Sequence, residues 1–260
     1  MCCFRPGRGK PVIDPREIVG ERVLSGKCVL MVFHPTLLRI ARSLLQGARP
    51  VNLSGMVFRS VEGAYRGAEL VAVLPYPGAP FAVAALEILA AMGAQLFIVV
   101  GRVGAIHPQL DVGDVLVPTW GIREEGTSYH YVPDPSYVPR PDEGLAKALH
   151  DHVRALVGRR RVRVVMGGVW TTDAVFRETL DKVIEYSAKG VYGVDMESTA
   201  LMTVAECLGV RLAIVASVSD KLSHDGAWIR GFHTRRLRET EKLVVRAALD
   251  VVAEVGAVRG

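Results

Sequence analysis

The amino-acid sequence predicts an α/β fold, a single domain of three layers in which helices cover both faces of a central mixed β-sheet. Half of the 260 residues are apolar, so the chain can bury a large core. Short runs rich in β-branched residues alternate with longer stretches of helical periodicity. This alternation is typical of a partly parallel sheet whose strands are connected by helices.

The apolar runs predict the strands, and the helical periodicity predicts the helices. Strands are expected at residues 28–33, 70–74, 96–100, 114–117, 162–166 and 212–218. Helices are expected at residues 36–46, 81–92, 143–157, 178–189, 197–208 and 234–255. Residues 115–131 alternate in polarity without an obvious helix, and Ser128 to Tyr131 resemble strand residues, so the sheet should be mixed.

The remaining segments are interpreted within one domain of residues 1–260. Residues 1–26 are expected to form an N-terminal extension, and residues 224–260 a divergent loop followed by the C-terminal helix. Residues 132–142 contain four prolines and are expected to form a surface loop.

The composition argues against nucleic-acid, membrane and metal partners. The 32 Lys and Arg exceed the 27 Asp and Glu, but apart from one short arginine run these charges are scattered. No signal peptide or membrane-spanning segment is visible, so we expect a cytoplasmic protein that binds no membrane. The four cysteines lack metal-ligand spacing, which predicts reduced thiols, and no metal or organic cofactor is implied. One Asn, three Gln and abundant Arg resemble the composition of thermophile proteins.

Polar and glycine-containing segments follow several predicted strands, where an α/β sheet binds its ligands. These segments are residues 75–80, 101–104, 171–173 and 217–220. A fifth segment, residues 193–198, enters the predicted helix 197–208 and puts Glu197 in its first turn. The helix dipole would keep this carboxylate ionised, and an ionised carboxylate can accept hydrogen bonds from both hydroxyls of a vicinal diol such as ribose. A helix-start acid without a ligand is the alternative.

Five motifs occur in the same order as in a known protein family. They are residues 97–106 (FIVVGRVGAI), 112–115 (VGDV), 171–173 (TTD), 194–198 (VDMES) and 218–220 (VSD). From about Val51 to Asp220, the sequence therefore resembles the nucleoside phosphorylase superfamily, which includes purine nucleoside, uridine and methylthioadenosine phosphorylases. The resemblance implies the fold of that superfamily and the cleavage of a nucleoside.

The resemblance also implies roles for residues of the motifs. Glu197 would bind the ribose 2′ and 3′ hydroxyls, with Met196 beneath the sugar and Asp195 also on the ribose side. Asp220 falls where purine-cleaving relatives keep a catalytic acid near N7, and general acids accelerate such steps by roughly 10²- to 10⁴-fold. The base would lie against a further set of residues, namely Gly104, Val103, Thr172, Phe176 and Ser219.

The residues after the Thr-Thr-Asp motif bear on the choice of base. Uridine-cleaving relatives place a Gln and an Arg there, whereas residues 174–179 read AVFRET and contain no Gln. A purine is therefore favoured, and Phe176 would pack on the base unless it belongs to the core. By the same resemblance, Arg230 or Arg235 would steer the acid, as an arginine of this region does in some purine-cleaving relatives.

The arginines with which relatives hold phosphate are not found at the corresponding positions. Those positions are the early loop at residues 33–39, Val99, and about Ser54 for an arginine lent by a partner subunit. Arg102 is expected to substitute for them, together with Arg59 from a partner chain. The alternative is a structural ion pair of Arg102 with Asp173 or Glu197.

Several functions remain open at this point. The favoured one is a homo-oligomeric phosphorylase, a dimer to hexamer, that cleaves the N-glycosidic bond of a purine ribonucleoside with phosphate and releases free base and ribose 1-phosphate. A nucleosidase that uses water, with His34 or a neighbouring carboxylate as the base, is the first alternative. A uridine-type phosphorylase and a nucleoside-binding homologue without turnover are the others.

Overall fold

The computed structural model describes residues 12–19, 23–53 and 57–257, and in this part of the chain ten strands form one sheet. The strands are β1 (Cys28–Val32), β2 (Gln46–Pro50), β3 (Val57–Tyr65), β4 (Ala68–Pro75), β5 (Leu96–Ala105), β6 (Val115–Glu124), β7 (Val164–Thr172), β8 (Val191–Asp195), β9 (Arg211–Leu222) and β10 (Trp228–Arg230). The helices are α1 (Pro15–Ile18), α2 (Pro35–Leu44), α3 (Ala79–Ala91), α4 (Glu143–Val157), α5 (Leu180–Ala188), α6 (Ser198–Leu208) and α7 (Arg235–Ala257). Two short 3₁₀ helices cover Thr127–His130 and Val175–Arg177.

The sheet closes on itself over part of its width. Its strands follow the order β10-β9-β6-β7-β8-β5-β1-β4-β3-β2, and β9 also pairs with β5. Strands β5, β8, β7, β6 and β9 therefore form a closed ring, from which β1, β4, β3 and β2 extend as an open sheet. β1 runs parallel to β4 and β5, whereas β8 is antiparallel to β5 and β6 is antiparallel to β9. The predicted α/β class with a mixed sheet is confirmed.

Helices pack on both faces of the sheet because its central strands are apolar on both sides. In β1, Val29 and Met31 belong to the core shared with α3 and α6. Cys28, Leu30 and Val32 belong to the core shared with α2, α4 and α7. Consecutive residues of the strand thus alternate between two cores, and this alternation fixes the register of the strand.

Each predicted strand overlaps an observed strand, and each predicted helix overlaps an observed helix. Four observed strands, β2, β3, β8 and β10, have no counterpart among the predicted ones. Most residues of β2 and all residues of β10 are exposed, so no buried apolar face marks these strands in the sequence.

Ser128 to Tyr131 do not continue a strand, so that part of the prediction is wrong. Residues Thr127–His130 form a 3₁₀ helix. Ser128 is buried, and the carboxylate of Glu125 accepts hydrogen bonds from its backbone N–H, at 2.8 Å, and from its hydroxyl. A side chain that satisfies a nearby backbone donor competes with strand pairing and turns the chain. The predicted loop at residues 132–142 is present.

No helix within the described ranges is long and apolar enough to cross a membrane. Cys28 is a buried thiol and Cys207 is disulfide-bonded, so the expectation of reduced thiols does not hold for Cys207. The other two cysteines, Cys2 and Cys3, lie outside the described residues, as does most of the predicted N-terminal extension.

Candidate active site

A cavity of about 430 Å³ lies where β5, β8 and β9 approach their carboxyl ends. Its wall is formed by the 3₁₀ helix Val175–Arg177, the start of α5, the end of β8 and the hairpin between β9 and β10. Residues from three of the sequence motifs meet here, as expected for ligand binding at strand ends. The cavity-lining residues that the sequence singled out are Gly104, Phe176, Asp195, Met196 and Asp220.

An irregularity in the pairing of β5 with β9 directs Asp220 into this cavity. Val103 pairs with Val218, but the next residue, Gly104, pairs with Asp220, so Ser219 is an extra residue in β9. In a regular strand Asp220 would share a face with Val218, which is packed in the core. An extra residue bends the strand and redirects the side chain that follows it.

Gly104 lies beside Asp220, where the two strands approach closely and leave little room for a side chain. A Cβ atom at this position would lie 3.0 Å from Cδ1 of Leu222 and 3.3 Å from Oδ2 of Asp220. Any side chain would therefore press on the carboxylate. Close approach explains this glycine of the motif.

Two donors hold the carboxylate of Asp220. The hydroxyl of Ser219 donates to Oδ1 at 2.6 Å, and the ring N–H of Trp228 donates to Oδ2 at 2.8 Å. Trp228 is on β10, which pairs with β9 as an antiparallel hairpin. The sequence analysis missed Trp228, because this residue lies in the divergent loop after residue 224 and only the hairpin brings it to the acid.

The two arginines expected to steer the acid make other contacts. Arg230 lies opposite Asp220 in the β9–β10 register, and its guanidinium lies 5.5 Å from the ring centroid of Trp228. Arg235 is ion-paired with Glu239 at 2.6 Å on α7. The side chain of β10 that contacts the acid is Trp228.

Asp195 organises the start of α6. Its Oδ1 accepts a hydrogen bond from the hydroxyl of Thr171 at 2.7 Å. Its Oδ2 accepts hydrogen bonds from the backbone N–H of Ser198, at 3.2 Å, and from the Ser198 hydroxyl. Burial raises the pKa of Asp195, and these hydrogen bonds oppose the shift. Asp195 therefore connects β7 to the helix that carries the predicted ribose-binding residues.

Glu197 is the N-cap residue of α6 rather than a member of its first turn. Its Oε1 accepts a hydrogen bond from the backbone N–H of Gly78 at 2.7 Å. Gly78 has a φ of 95°, in the left-handed region that favours glycine. Burial, followed by the charge of Asp195, raises the pKa of Glu197 to about 8. The expectation that this carboxylate is kept ionised is therefore wrong, because burial and the charge of Asp195 outweigh the backbone hydrogen bonds from Gly78 and Met196.

Glu178 is a further carboxylate of the site that the sequence analysis gave no role. It lies between the 3₁₀ helix Val175–Arg177 and α5, and it lines the cavity. Burial, followed by the charges of Asp220 and Asp195, raises the pKa of Glu178 to about 7. Among the described residues around the cavity, these three carboxylates are the ionisable side chains. No group of His, Cys, Asp and Glu in the described ranges is arranged to hold a metal ion.

The remaining residues assigned to the base lie at different depths. Val103 and Thr172 are buried, with 2% and 3% of their surface exposed. Ser219 is buried and supports Asp220. Phe176 is 96% exposed at the mouth of the cavity. Phe176 is therefore not a core residue, which was the alternative reading of its sequence position.

Arg102 is ion-paired with Glu241 of α7. Its Nε donates to Oε1 of Glu241 at 2.7 Å, and its Nη2 lies 2.5 Å from the same oxygen. Glu241 is 0% exposed, and a buried carboxylate requires a cationic partner. The acid paired with Arg102 is thus neither Asp173 nor Glu197, the two acids considered from the sequence.

Two arginines lower the pKa of His34, the second residue after β1. Burial, followed by the charges of Arg102 and Arg39, lowers the pKa of His34 to about 4. The ring is therefore neutral at neutral pH, and its Nδ1 accepts a hydrogen bond from the backbone N–H of Thr36 at 3.1 Å, capping α2. With Nδ1 as an acceptor, the ring proton is on Nε2. His34 then has no free lone pair with which to act as a general base.

Arg59 lines a different cavity, of about 630 Å³, together with Arg39 and Arg42. This second cavity lies between α2 and the strands β2 and β3, and the residues described around it do not line the first cavity. Ser54, the expected place of an arginine lent by a partner subunit, lies outside the described residues.

Residues 30–255 match the sequence model of the phosphorylase superfamily. This range covers most of the chain and includes every residue that lines the first cavity. The chain belongs to this superfamily. The match includes both the strand-end motifs and α7 with Glu241, so the Arg102–Glu241 pair lies within the superfamily domain.

Individual members of the superfamily are similar over about two thirds of their length. The guanosine phosphorylase of Halorubrum lacusprofundi is 27% identical over 168 residues, which cover 64% of this chain and 66% of that protein. The uridine phosphorylase of Salmonella typhimurium is 30% identical over 181 residues, which cover 65% of this chain and 71% of that protein. The solved structure of purine nucleoside phosphorylase from Toxoplasma gondii in complex with immucillin-H has a TM-score of 0.78 at 19% identity, covering 97% of this chain and 99% of that one. At this identity, the likeness to the solved structure shows the shared fold.

We predict that Arg102→Met destabilises the protein because it leaves Glu241 buried without its cation. Breaking a buried ion pair in this way typically costs about 3–5 kcal/mol. The double variant Arg102→Met/Glu241→Met should recover most of this loss, since it removes both charges. Denaturant unfolding of the three proteins measures the difference. A double variant that is no more stable than the single one contradicts the role of the pair.

We predict that Glu197 makes the protein less stable as the pH rises. The unfolded side chain loses its proton near its ordinary pKa of 4.5, whereas the folded one keeps it up to about 8. Between these values the folded state binds more protons, so raising the pH favours unfolding. Glu197→Gln should therefore lose less thermal stability than the wild type between pH 5 and pH 8.

The matched control for this measurement is Glu185→Gln on the exposed surface of α5, where Glu185 pairs with Lys189. It should keep the pH dependence of the wild type. If the melting temperatures of the wild type and Glu197→Gln change by the same amount between pH 5 and pH 8, Glu197 is not a source of the pH dependence.

Proposed function

We propose that this protein is a nucleoside phosphorylase that cleaves the N-glycosidic bond of purine ribonucleosides. One observation carries the proposal. The shifted register of β9 turns Asp220 into the same cavity as Asp195 and Met196, and the Trp228 ring N–H holds its carboxylate there. An acid for the base and a helix start that would bind the diol of the sugar, meeting at one cavity, match the two parts of a nucleoside.

The chemistry follows from this arrangement. The bond between C1′ and N9 breaks, and its electron pair leaves with the base. Asp220 must enter this step in its protonated form; it donates that proton to N7, so the base departs neutral and an ionised Asp220 remains, while a phosphate oxygen forms the new bond to C1′. Glu197 binds the 2′ and 3′ hydroxyls, and Met196 packs beneath the sugar. The products are free base and ribose 1-phosphate, and no cofactor other than the co-substrate phosphate is required.

The phosphate is proposed to bind beside His34, near two positively charged arginines. Arg102 and Arg39 both act on His34, and the Nε2–H of its neutral ring is a donor for an anion. The guanidinium of Arg102 lowers the pKa of His34 although it is also ion-paired with Glu241. Arg59 would contribute from a partner chain in a homo-oligomer of two to six subunits. The exposed apolar side chains at the cavity mouth, Phe176 and Trp228, support such a partner.

Two arguments support a purine over a pyrimidine. Residues 174–179 contain no Gln to read a pyrimidine edge. Asp220 is suited to protonate N7, an atom that uracil lacks. The likeness to the guanosine phosphorylase of Halorubrum lacusprofundi agrees with this choice, and the likeness to the uridine phosphorylase of Salmonella typhimurium keeps uridine among the substrates to be tested.

Hydrolysis is the second candidate, and the pairing of Arg102 with Glu241 favours it because that pairing weakens the grip on phosphate. The state of His34 argues the other way, since its Nδ1 is already a hydrogen-bond acceptor and cannot activate water. The test is to incubate guanosine, inosine, adenosine, methylthioadenosine and uridine with and without phosphate and to follow free base. Purine release that requires phosphate is expected. Release that is indifferent to phosphate would make the protein a nucleosidase.

We predict that Asp220→Asn lowers kcat for the purine nucleoside by at least about tenfold, because the amide cannot supply the proton. KM should change little, since the amide is of similar size and its oxygen can still accept from Trp228. The matched control is Asp151→Asn, an exposed acid of α4 paired with Lys147, which should keep wild-type kinetics. An unchanged kcat in Asp220→Asn would remove Asp220 from the mechanism.

A further inference from the structure

The start of α6 is capped by residues that lie outside the helix. Glu197 is the N-cap residue, and the side chain at that position ordinarily accepts a hydrogen bond from the second or third helical N–H. Here the N–H of Thr199, the second helical residue, donates to Oγ1 of Thr171 on β7 at 3.0 Å. Asp195 accepts from the first helical N–H at 3.2 Å. The carboxylate of Glu197 is therefore released from capping its own helix.

Thr199 is fixed from three directions. Its backbone N–H is held by Thr171, as described above. Its hydroxyl donates to Oε1 of Glu125, just after β6, at 3.2 Å. Its methyl group lies so close to Gly121 of β6 that a Cβ atom there would clash with it. The side chain is fully buried, so the first turn of α6 is tied to both neighbouring strands.

Glu125, the acceptor for Thr199, is itself held in place. It is buried, and it accepts hydrogen bonds from the backbone N–H of Ser128, at 2.8 Å, and from the Ser128 hydroxyl. The same hydroxyl accepts from Nε of Arg123 at 2.8 Å. The guanidinium of Arg123 also donates to the carbonyl oxygens of Val132 and Asp134, at 2.6 Å and 3.0 Å. A buried polar network of this kind is rigid, because moving one member breaks the hydrogen bonds of the others.

The network reaches the proposed sugar site through two peptide units. Met196, which lines the first cavity, and Glu197 directly precede the helical turn that contains Thr199. A shift of that turn therefore moves Glu197 with it. Misplacing a substrate-binding group by about 1 Å can cost roughly 10²-fold in rate.

We propose that Glu125 and Thr199 are positioning residues, which hold the first turn of α6 so that the carboxylate of Glu197 stays directed at the sugar of the substrate. The inference rests on the proposed function, in which Glu197 binds the 2′ and 3′ hydroxyls. Neither Glu125 nor Thr199 lines the first cavity, so both act through Glu197. A purely structural role would affect all substrates alike. A positioning role affects most the substrate that makes the most contacts with Glu197, which is a ribonucleoside rather than its 2′-deoxy analogue.

The discriminating substitution is Thr199→Val, which keeps the shape of the side chain and removes its hydroxyl. The wild type is expected to prefer the ribonucleoside that it cleaves fastest over the 2′-deoxy analogue by about fivefold or more in kcat/KM, the effect of about one hydrogen bond. In Thr199→Val this ratio should fall to about twofold or less, mainly through a higher KM for the ribonucleoside. Thr199→Ser keeps the hydroxyl and loses the methyl group. It should retain the wild-type ratio although its thermal stability is lower.

Thr203→Val is the matched control. Thr203 is as buried as Thr199 and lies one turn later on α6, but its hydroxyl donates to the carbonyl oxygen of Thr199 at 2.7 Å rather than to Glu125. This variant should keep the wild-type ratio. An unchanged ratio in Thr199→Val overturns the positioning role. An equal fall in all three variants overturns it as well, because it would follow from lost stability alone.

A wild type that cleaves no nucleoside would contradict the proposed function. The positioning role would then be decided by calorimetric titration with guanosine and 2′-deoxyguanosine. The same loss of preference in Thr199→Val, with the preference kept in Thr199→Ser, would support it in the binding affinities. Equal affinities of the wild type for the two nucleosides, or binding of neither, would overturn it.

Discussion

The geometry of the site depends on a single extra residue in β9. The parallel register between β5 and β9 is regular from Leu96 and Arg211 up to Val103 and Val218, and it shifts only at Ser219. The regular part keeps the strand packed in the core, and the shift frees the next side chain from it. Gly104 leaves room for the turned carboxylate, and Trp228 holds it. Without the extra residue, Asp220 would face the core, and its carboxylate would not reach the donor on Trp228.

Desolvation is the second constraint, and it divides the strand ends into two electrostatic halves. Loss of solvent raises the pKa of Glu178, Asp195 and Glu197, and neighbouring negative charges add to the shift of Glu178 and Glu197. On the other side, Arg102 and Arg39 depress the pKa of His34, and Arg102 compensates the buried Glu241 of α7. Residues 101–104, at the end of β5, separate these halves, with Arg102 towards α7 and Gly104 towards the carboxylates. The proposed nucleoside and phosphate would therefore lie on either side of this end of β5.

The sequence predicted the elements whose burial follows a clear period. β1 and β5 are apolar on both faces, and α4 occupies the predicted residues 143–157. Exposed strands such as β10 carry no such signal, and the 3₁₀ helix at Thr127–His130 depends on a side-chain contact from Glu125 that no periodicity reveals. Part of the site could be predicted because the strand-end motifs are local in sequence. Trp228 and Glu241 could not, because their contacts cross long stretches of chain or a divergent hairpin, and the raised pKa of Glu197 follows from burial that only packing defines.

The closed ring of β5, β8, β7, β6 and β9 has a consequence for how such a protein diversifies. A ring without free edges sets the spacing between its strand ends, so Asp195 and Asp220 cannot drift apart without breaking pairings on both sides. The segment 174–179 and the β9–β10 hairpin lie outside that restriction, and both border the cavity. The sequences of these two segments can therefore change during evolution while the ring that positions Asp195 and Asp220 is conserved. Substrate preference can then evolve separately from the chemistry.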